Sequence, residues 1–228
     1  MELNSYIDHT NLKKDSVPED IEKLCEEAIK YHFASVCVYP YYVKAVADYL
    51  KGTNVEVCTV VGFPNGMNTT NTKVYEAIEA VDNGATEIDM VINIGALKAG
   101  EYDYVKNEIE TIRDSIDGKV LKVIIETCLL TDDEIIKMTE ICNETFVNFI
   151  KTSTGFDKEG ATLRVVKLIN KHKGEVLEIK ASGGIKDSES AIKFIEAGAT
   201  RLGTSHGIDI VNGKCECDHC HCHDKEEK

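Results

Sequence analysis

Three lysines interrupt segments that otherwise read as buried: Lys122 in VLKVIIE, Lys151 closing VNFIK and Lys180 closing LEIK. Lysine is almost never fully buried without a partner. Each therefore snorkels from a strand end, pairs with a carboxylate such as Glu87, Asp89 or Glu126, or does chemistry. The chemical use needs a poised amine. A protonated lysine is no nucleophile, and moving its pKa from ~10.4 towards ~7 requires destabilising the ammonium by roughly 4–5 kcal/mol. Apolar walls and a second cation supply such a shift. Lys180 near Lys151 would be that cation, giving an amine that forms Schiff bases with carbonyl compounds, while Asp89 moves protons directly or through water. Strand alternation places Glu87, Asp89, Val91 and Asn93 on one face, and Lys122, Ile124 and Glu126 likewise share a face. If both faces point inward, lysines and carboxylates meet in one mouth.

A second constellation is ASGGIKD at 181–187 with RLGTSHG at 201–207. Backbone amides of closely approaching glycines, together with a short helix N-terminus, hold a phosphate without Lys or Arg. Glycines that merely stop helices and form turns account equally well for a lone GG pair. Two Gly/Ser loops after the last two strand candidates favour the phosphate reading.

The elements that position these residues alternate. Strand-like runs fall near 5–9, 34–38, 55–61, 86–92, 119–125, 146–151, 176–181 and 200–204, each followed by a helical or loop stretch. The runs are continuously apolar (VEVCTVV, EIDMVIN, VLKVIIE), as parallel strands covered on both faces must be. Thr131 with Glu134 and Ser16 with Glu19 have capping-box spacing, and Gly84 and Gly198 stand where helices would end. AIEAVDNGATEID at 77–89 echoes AIKFIEAGATRLG at 191–203, with a shorter version in AIKYHFASVCV at 28–38. Eight units of about 26 residues leave no room for a second domain. A compact (β/α)8 TIM barrel fits this count better than a doubly wound open sheet, which remains the alternative; no GxGxxG or Walker loop supports the latter.

The chain has 228 residues with 26 basic and 40 acidic side chains, a formal net charge of -14. That balance disfavours nucleic acid and anionic membrane surfaces, both of which need clustered Lys and Arg. No apolar window has the length of a membrane span or a signal core, so a cytoplasmic protein is expected. Of nine cysteines, Cys25, Cys37, Cys58, Cys128 and Cys142 lie scattered in apolar segments and read as reduced, buried small hydrophobes.

Six ordered blocks, IDHTNL at 7–12, VCVYP at 36–40, EIDMVIN at 87–93, LKVIIET at 121–127, FIKTSTGF at 149–156 and KASGGI at 180–185, together resemble the deoxyribose-phosphate aldolase family. The likeness covers about residues 5–212. It implies a class I aldolase on a (β/α)8 barrel that reversibly cleaves 2-deoxy-D-ribose 5-phosphate to acetaldehyde and D-glyceraldehyde 3-phosphate, with no metal or cofactor. By motif, Lys151 resembles the Schiff-base lysine, Lys180 the pKa-lowering partner and Asp89 the proton-relay carboxylate. The residues by themselves do not rank the lysines. Gly183, Gly184 and Ser205 resemble phosphate contacts, with Gly155 added from the preceding loop. Lys122, Asp8 and Cys37 match positions that line or border the site. Three departures stand out: His206 where many relatives carry a second serine, Phe156 where some carry a polar residue, and no tyrosine near the C-terminus. The expected partners are a small phosphorylated sugar and a second copy of the chain as a homodimer.

Residues 213–228 are expected to form a flexible, acidic tail after a barrel domain spanning 1–212. Cys215, Cys217, Cys220 and Cys222 beside His219, His221 and His223 offer ligands for a soft metal ion, although their spacing is not that of a zinc finger. Metal binding and plain solvent exposure are both open readings of this segment.

Overall fold

The computed structural model describes residues 2–213. Eight strands alternate with helices: β1 Ile7–Asn11, α1 Pro18–Tyr31, β2 Ser35–Val38, α2 Val43–Tyr49, β3 Glu56–Val61, α3 Thr70–Asp82, β4 Glu87–Val91, α4 Ile94–Lys98, α5 Tyr102–Ser115, β5 Val120–Ile124, α6 Asp132–Glu144, β6 Phe149–Lys151, α7 Leu163–His172, β7 Glu178–Ser182, α8 Ser188–Glu196, β8 Arg201–Thr204 and α9 Gly207–Val211. Each strand pairs in parallel with the next, and β8 returns to β1, closing the barrel. Closure settles the choice that alternation left open. All eight expected strands are present. β6 starts later than its apolar run, at Phe149, because Phe146 adopts φ 52 and delays entry into the sheet.

The helices cover the outside of the barrel with one apolar face each. On α5, Val105, Ile109 and Ile112 are buried at helical spacing; on α7, Val165, Val166 and Ile169 do the same. Each such side chain stabilises the packed state by about 1.5–3 kcal/mol. The Thr131 box forms as expected, with Glu134 N donating to Thr131 Oγ1 at 3.3 Å and Thr131 N donating to Glu134 Oε2 at 2.7 Å. The box expected at Ser16 and Glu19 is displaced by one residue. Pro18 takes the first helical position, where its missing N–H is no loss, so Val17 becomes the cap and donates its N–H to Asp20 Oδ2 at 3.0 Å. Gly84 (φ 105) and Gly198 (φ 117) follow the ends of α3 and α8, as their left-handed backbone suits. Among the described residues, no helix is long and apolar enough to cross a membrane. All five cysteines within the described range are unpaired; four are buried and Cys128 is half-buried.

The fold departs from a simple apolar core inside the barrel itself. Period-two alternation turns Asp8, Cys37, Cys58, Glu87, Asp89, Lys122, Lys151, Lys180 and Arg201 towards the axis. Parallel register then aligns Asp89 with Lys122 and Lys151 with Lys180. Two amines separated in sequence by the whole of α7 are thereby made lateral neighbours.

Candidate active site

Lys151 and Lys180 each donate from Nζ to the same oxygen, Asp89 Oδ2, both at 2.7 Å. The two nitrogens therefore lie within two hydrogen-bond lengths of one another. The other oxygen, Oδ1, accepts from Lys122 Nζ at 2.9 Å and from Cys58 Sγ at 3.2 Å. Lys122 Nζ also meets Glu87 Oε2 at 2.6 Å and Asp8 Oδ2 at 3.5 Å, while Lys180 Nζ meets Asp8 Oδ2 at 2.5 Å. Arg201 closes the network, donating to Asp8 Oδ1 at 2.7 Å and to Glu87 at 3.2 Å. Asp8, Asp89, Lys122 and Lys180 are fully buried, and Lys151 is 3 % exposed.

This connected network holds four cationic side chains against three carboxylates. Its electrostatics are decided by those contacts rather than by apolar walls alone. Burial opposes the charge on Asp89, but Lys122, Lys151 and Lys180 overcome it and hold the carboxyl well below the usual range. Burial likewise opposes the Lys180 ammonium, and Asp8 and Asp89 outweigh it, so this lysine keeps its proton more firmly than an exposed one. Lys122 behaves in the same way, with Asp89 the largest charged contributor.

Above the network, at the C-terminal ends of the strands, opens a cavity of about 880 Å³ whose lining includes Lys151, Gly155, Gly183, Gly184 and Ser205. All four expected anion contacts thus face one space with the Lys151 amine at its floor. Lys180 and Asp89 lie beneath that floor, out of the cavity. The glycines are required there: Gly155 (φ 84), Gly183 (φ 85) and Gly184 (φ 81) are all left-handed. Two of the three departures noted above, Phe156 and His206, line the same cavity. Phe156 stands edge-on to Phe63 with ring centroids 5.2 Å apart. His206 Nδ1 lies 3.4 Å from Asp209 Oδ2. Lys122 and Asp8, within the network, and Cys37 are buried outside the cavity lining.

Several residues escaped the sequence reading. Arg201 is a charge inside a strand, the same signal that singled out the lysines, and it balances Asp8 and Glu87. Gly160 left no motif, yet a Cβ there would meet Gly183 O at 2.3 Å and Gly183 C at 2.4 Å. Gly160→Ala should therefore push the loop after β6 away from the loop after β7, raising KM for an anionic substrate about tenfold or more while leaving a far-ultraviolet spectrum unchanged. Steady-state kinetics on the purified variant checks this. The tail residues from 214 onward, with the proposed soft-metal ligands, lie outside the described residues.

A closed parallel barrel carrying an amine–carboxylate network under a strand-end cavity has the build of a barrel enzyme of the (β/α)8 class. The family model described as DeoC/LacD family aldolase matches residues 3–213, and the chain belongs to that family. A deoxyribose-phosphate aldolase of Finegoldia magna is 54% identical over 213 residues, covering 93% of this chain and 100% of the relative. One from Mannheimia succiniciproducens is 51% identical over 212 residues, covering 93% of this chain and 95% of the relative. Among solved structures, the tetrameric deoxyribose phosphate aldolase of Aeropyrum pernix superposes with a TM-score of 0.86 at 29% identity, covering 92% of this chain and 89% of that one.

Proposed function

We infer that the chain is a deoxyribose-phosphate aldolase, a lyase that reversibly cleaves 2-deoxy-D-ribose 5-phosphate to acetaldehyde and D-glyceraldehyde 3-phosphate through a Schiff base on Lys151. The observation that carries the assignment of roles is the convergence of Lys151 and Lys180 on one Asp89 oxygen below the cavity. With four cations against three carboxylates, the network balances when one lysine is neutral. Lys122 faces three carboxylates and Lys180 two, whereas Lys151 faces one and alone among them lines the cavity. It is the lysine with the fewest ionic contacts and the one that a substrate in the cavity can reach.

The neutral Lys151 amine adds to C1 of the open-chain sugar, and the carbinolamine takes up a proton, delivered from Lys180 across Asp89, and loses water to leave an iminium. When the C3 hydroxyl gives up its proton, the C2–C3 bonding electrons flow into the iminium, glyceraldehyde 3-phosphate departs, and a two-carbon enamine remains. That enamine takes a proton on carbon, and water hydrolyses the iminium to acetaldehyde, restoring the amine. Asp89, held as a carboxylate, serves as acceptor and relay rather than resting acid. Because its Oδ2 already accepts from both amines, a proton passes between Lys180 and Lys151 across one shared oxygen. Gly155, Gly183, Gly184 and Ser205 hold the phosphate, keeping the reacting carbons at the amine.

Homo-oligomerisation, with a dimer as the smallest assembly, and a cytoplasmic location complete the reading; unpaired buried cysteines support the latter. A soft metal ion on the Cys/His tail is not required by this chemistry. Incubation with acetaldehyde and borohydride, in a buffer containing a chelator, should abolish activity and leave an N-ethyl group on Lys151 in peptide mass spectra. An adduct on Lys122 or Lys180 instead would overturn the assignment.

A further inference from the structure

We propose that Glu126 is a positioning residue that fixes the reach between the Lys151 amine and the anion-binding glycines, and so makes the site discriminate in favour of a phosphorylated sugar. This inference rests on the aldolase reading above and adds a determinant of its substrate class.

Glu126 lies two residues beyond β5, is 2 % exposed, and has φ 52 and ψ 67. A non-glycine residue holds the left-handed region only where its surroundings enforce it, and such residues cluster at functional sites. The enforcement is visible in the backbone on either side. Ile125 N donates to Lys151 O at 3.1 Å and Thr127 N to Thr152 O at 2.9 Å, so the chain is tied to the end of β6 before and after Glu126.

The carboxylate then grips the loop that follows β6. Thr154 N lies 3.2 Å from Oε2 and 3.4 Å from Oε1, and Thr154 Oγ1 donates to Oε2 at 2.5 Å. Phe156 N in turn donates to Thr154 Oγ1 at 3.0 Å. One side chain thus holds the backbone on both sides of Gly155, which lines the cavity, without lining the cavity itself. On its far side the same loop is clamped to β7 and its loop: Ala161 N donates to Ser182 O at 2.9 Å and to Gly183 O at 3.2 Å. The segment between Lys151 and Ala161 is thus anchored at Thr154, Phe156 and Ala161. Lys151 is set by the sheet, Gly155 by Glu126, and the span between them by both.

Other groups facing the carboxylate are few. Cys128 Sγ lies 4.0 Å from Oε1, with Asp157 and Lys151 acting at longer range in opposite senses. Burial raises the Glu126 carboxyl above its ordinary value, and the Thr154 hydrogen bonds partly offset this.

A sugar phosphate must engage the amine at one end and the glycines at the other, so a fixed span helps it more than a sugar without phosphate. The test compares wild type, Glu126→Ala and Glu126→Gln with 2-deoxyribose 5-phosphate and with 2-deoxyribose, resolving kcat and KM for each. For the phosphorylated sugar, Glu126→Ala should raise KM about tenfold or more, the scale of a lost hydrogen bond to a charged group. For the unphosphorylated sugar, kcat/KM should change less than about threefold, because the loop is not used. Glu126→Gln still accepts from Thr154 N and can donate to Thr154 Oγ1, so it should recover most of the discrimination. If Glu126→Ala does not fold, the Gln variant is read against Glu126→Asp, whose shorter stem should lose discrimination while keeping the charge. Equal losses for both sugars, or discrimination unchanged in the folded variants, would overturn the proposal. Failure of the wild type to cleave 2-deoxyribose 5-phosphate would instead overturn the aldolase reading on which it rests.

Discussion

Lys151→Ala should lose at least about 10⁴-fold in kcat/KM for 2-deoxyribose 5-phosphate, the scale of removing a covalent nucleophile, while remaining folded. The two halves of that expectation have one cause. Lys151 is the lysine with the fewest ionic partners: without it Lys122, Lys180 and Arg201 face Asp8, Glu87 and Asp89, three groups of each sign. Deleting one member of a buried pair is ordinarily destabilising by about 3–5 kcal/mol because it strands the partner. Here Asp89 keeps its contacts to Lys180 and Lys122, so the thermal midpoint should stay near the wild-type value. Lys151→Arg separates the roles further. A guanidinium still reaches Asp89 but cannot form the imine, so it should be as inactive as the alanine variant. A coupled assay consuming glyceraldehyde 3-phosphate, run beside a melting curve, reads both quantities. Residual activity above about one hundredth of wild type in Lys151→Ala would exclude this lysine as the nucleophile.

Much of this design is legible in the sequence, and for identifiable reasons. Strands buried on both faces must be continuously apolar, so VEVCTVV, EIDMVIN and VLKVIIE announce themselves, and a lysine inside such a run is an anomaly that demands a partner. The unit length excludes room for a second domain. What cannot be read from the chain is what depends on closure and register. That β8 pairs with β1 brings Arg201 to Asp8, residues at opposite ends of the barrel domain, and no local pattern encodes it. The charge balance that distinguishes Lys151 from Lys180 and Lys122 is a property of the assembled interior. The bottom-up expectation of a second cation beside Lys151 names the right neighbour, yet the shared carboxylate between them emerges only from the parallel alignment of β6 with β7. Gly160 is silent for the same reason, and Glu126, expected to pair with a lysine, binds Thr154 instead, since each acts through a loop whose contact is set by the neighbouring strand.

Asp89→Asn is the counterpart with the opposite consequence for stability. Asp89 receives four donors, Lys151 and Lys180 on one oxygen and Lys122 and Cys58 on the other. An asparagine keeps one acceptor and turns an amide N–H towards the lysines, leaving Lys122, Lys180 and Arg201 with only Asp8 and Glu87 to balance them. A loss of about 3–5 kcal/mol follows from stranding buried charge, which in a domain of this size lowers Tm by roughly 10 °C. Activity should fall with it, by about 10²–10⁴-fold in kcat, because the relay between the two amines loses its shared acceptor. The pH dependence has a definite sign. In the folded chain the Asp89 carboxyl lies well below its ordinary value, so between the folded and unfolded pKa values the unfolded chain binds the extra proton. The stabilisation is therefore complete at any pH above the unfolded value, about 3.9, and decays as pH falls below it. Denaturant melts of wild type and Asp89→Asn from neutral pH downward should differ by a constant margin until about pH 4, then converge. A margin already shrinking near neutrality would mean that the carboxyl takes up its proton there, and Asp89 could then act as a resting acid instead of the oxygen across which the two lysines exchange a proton.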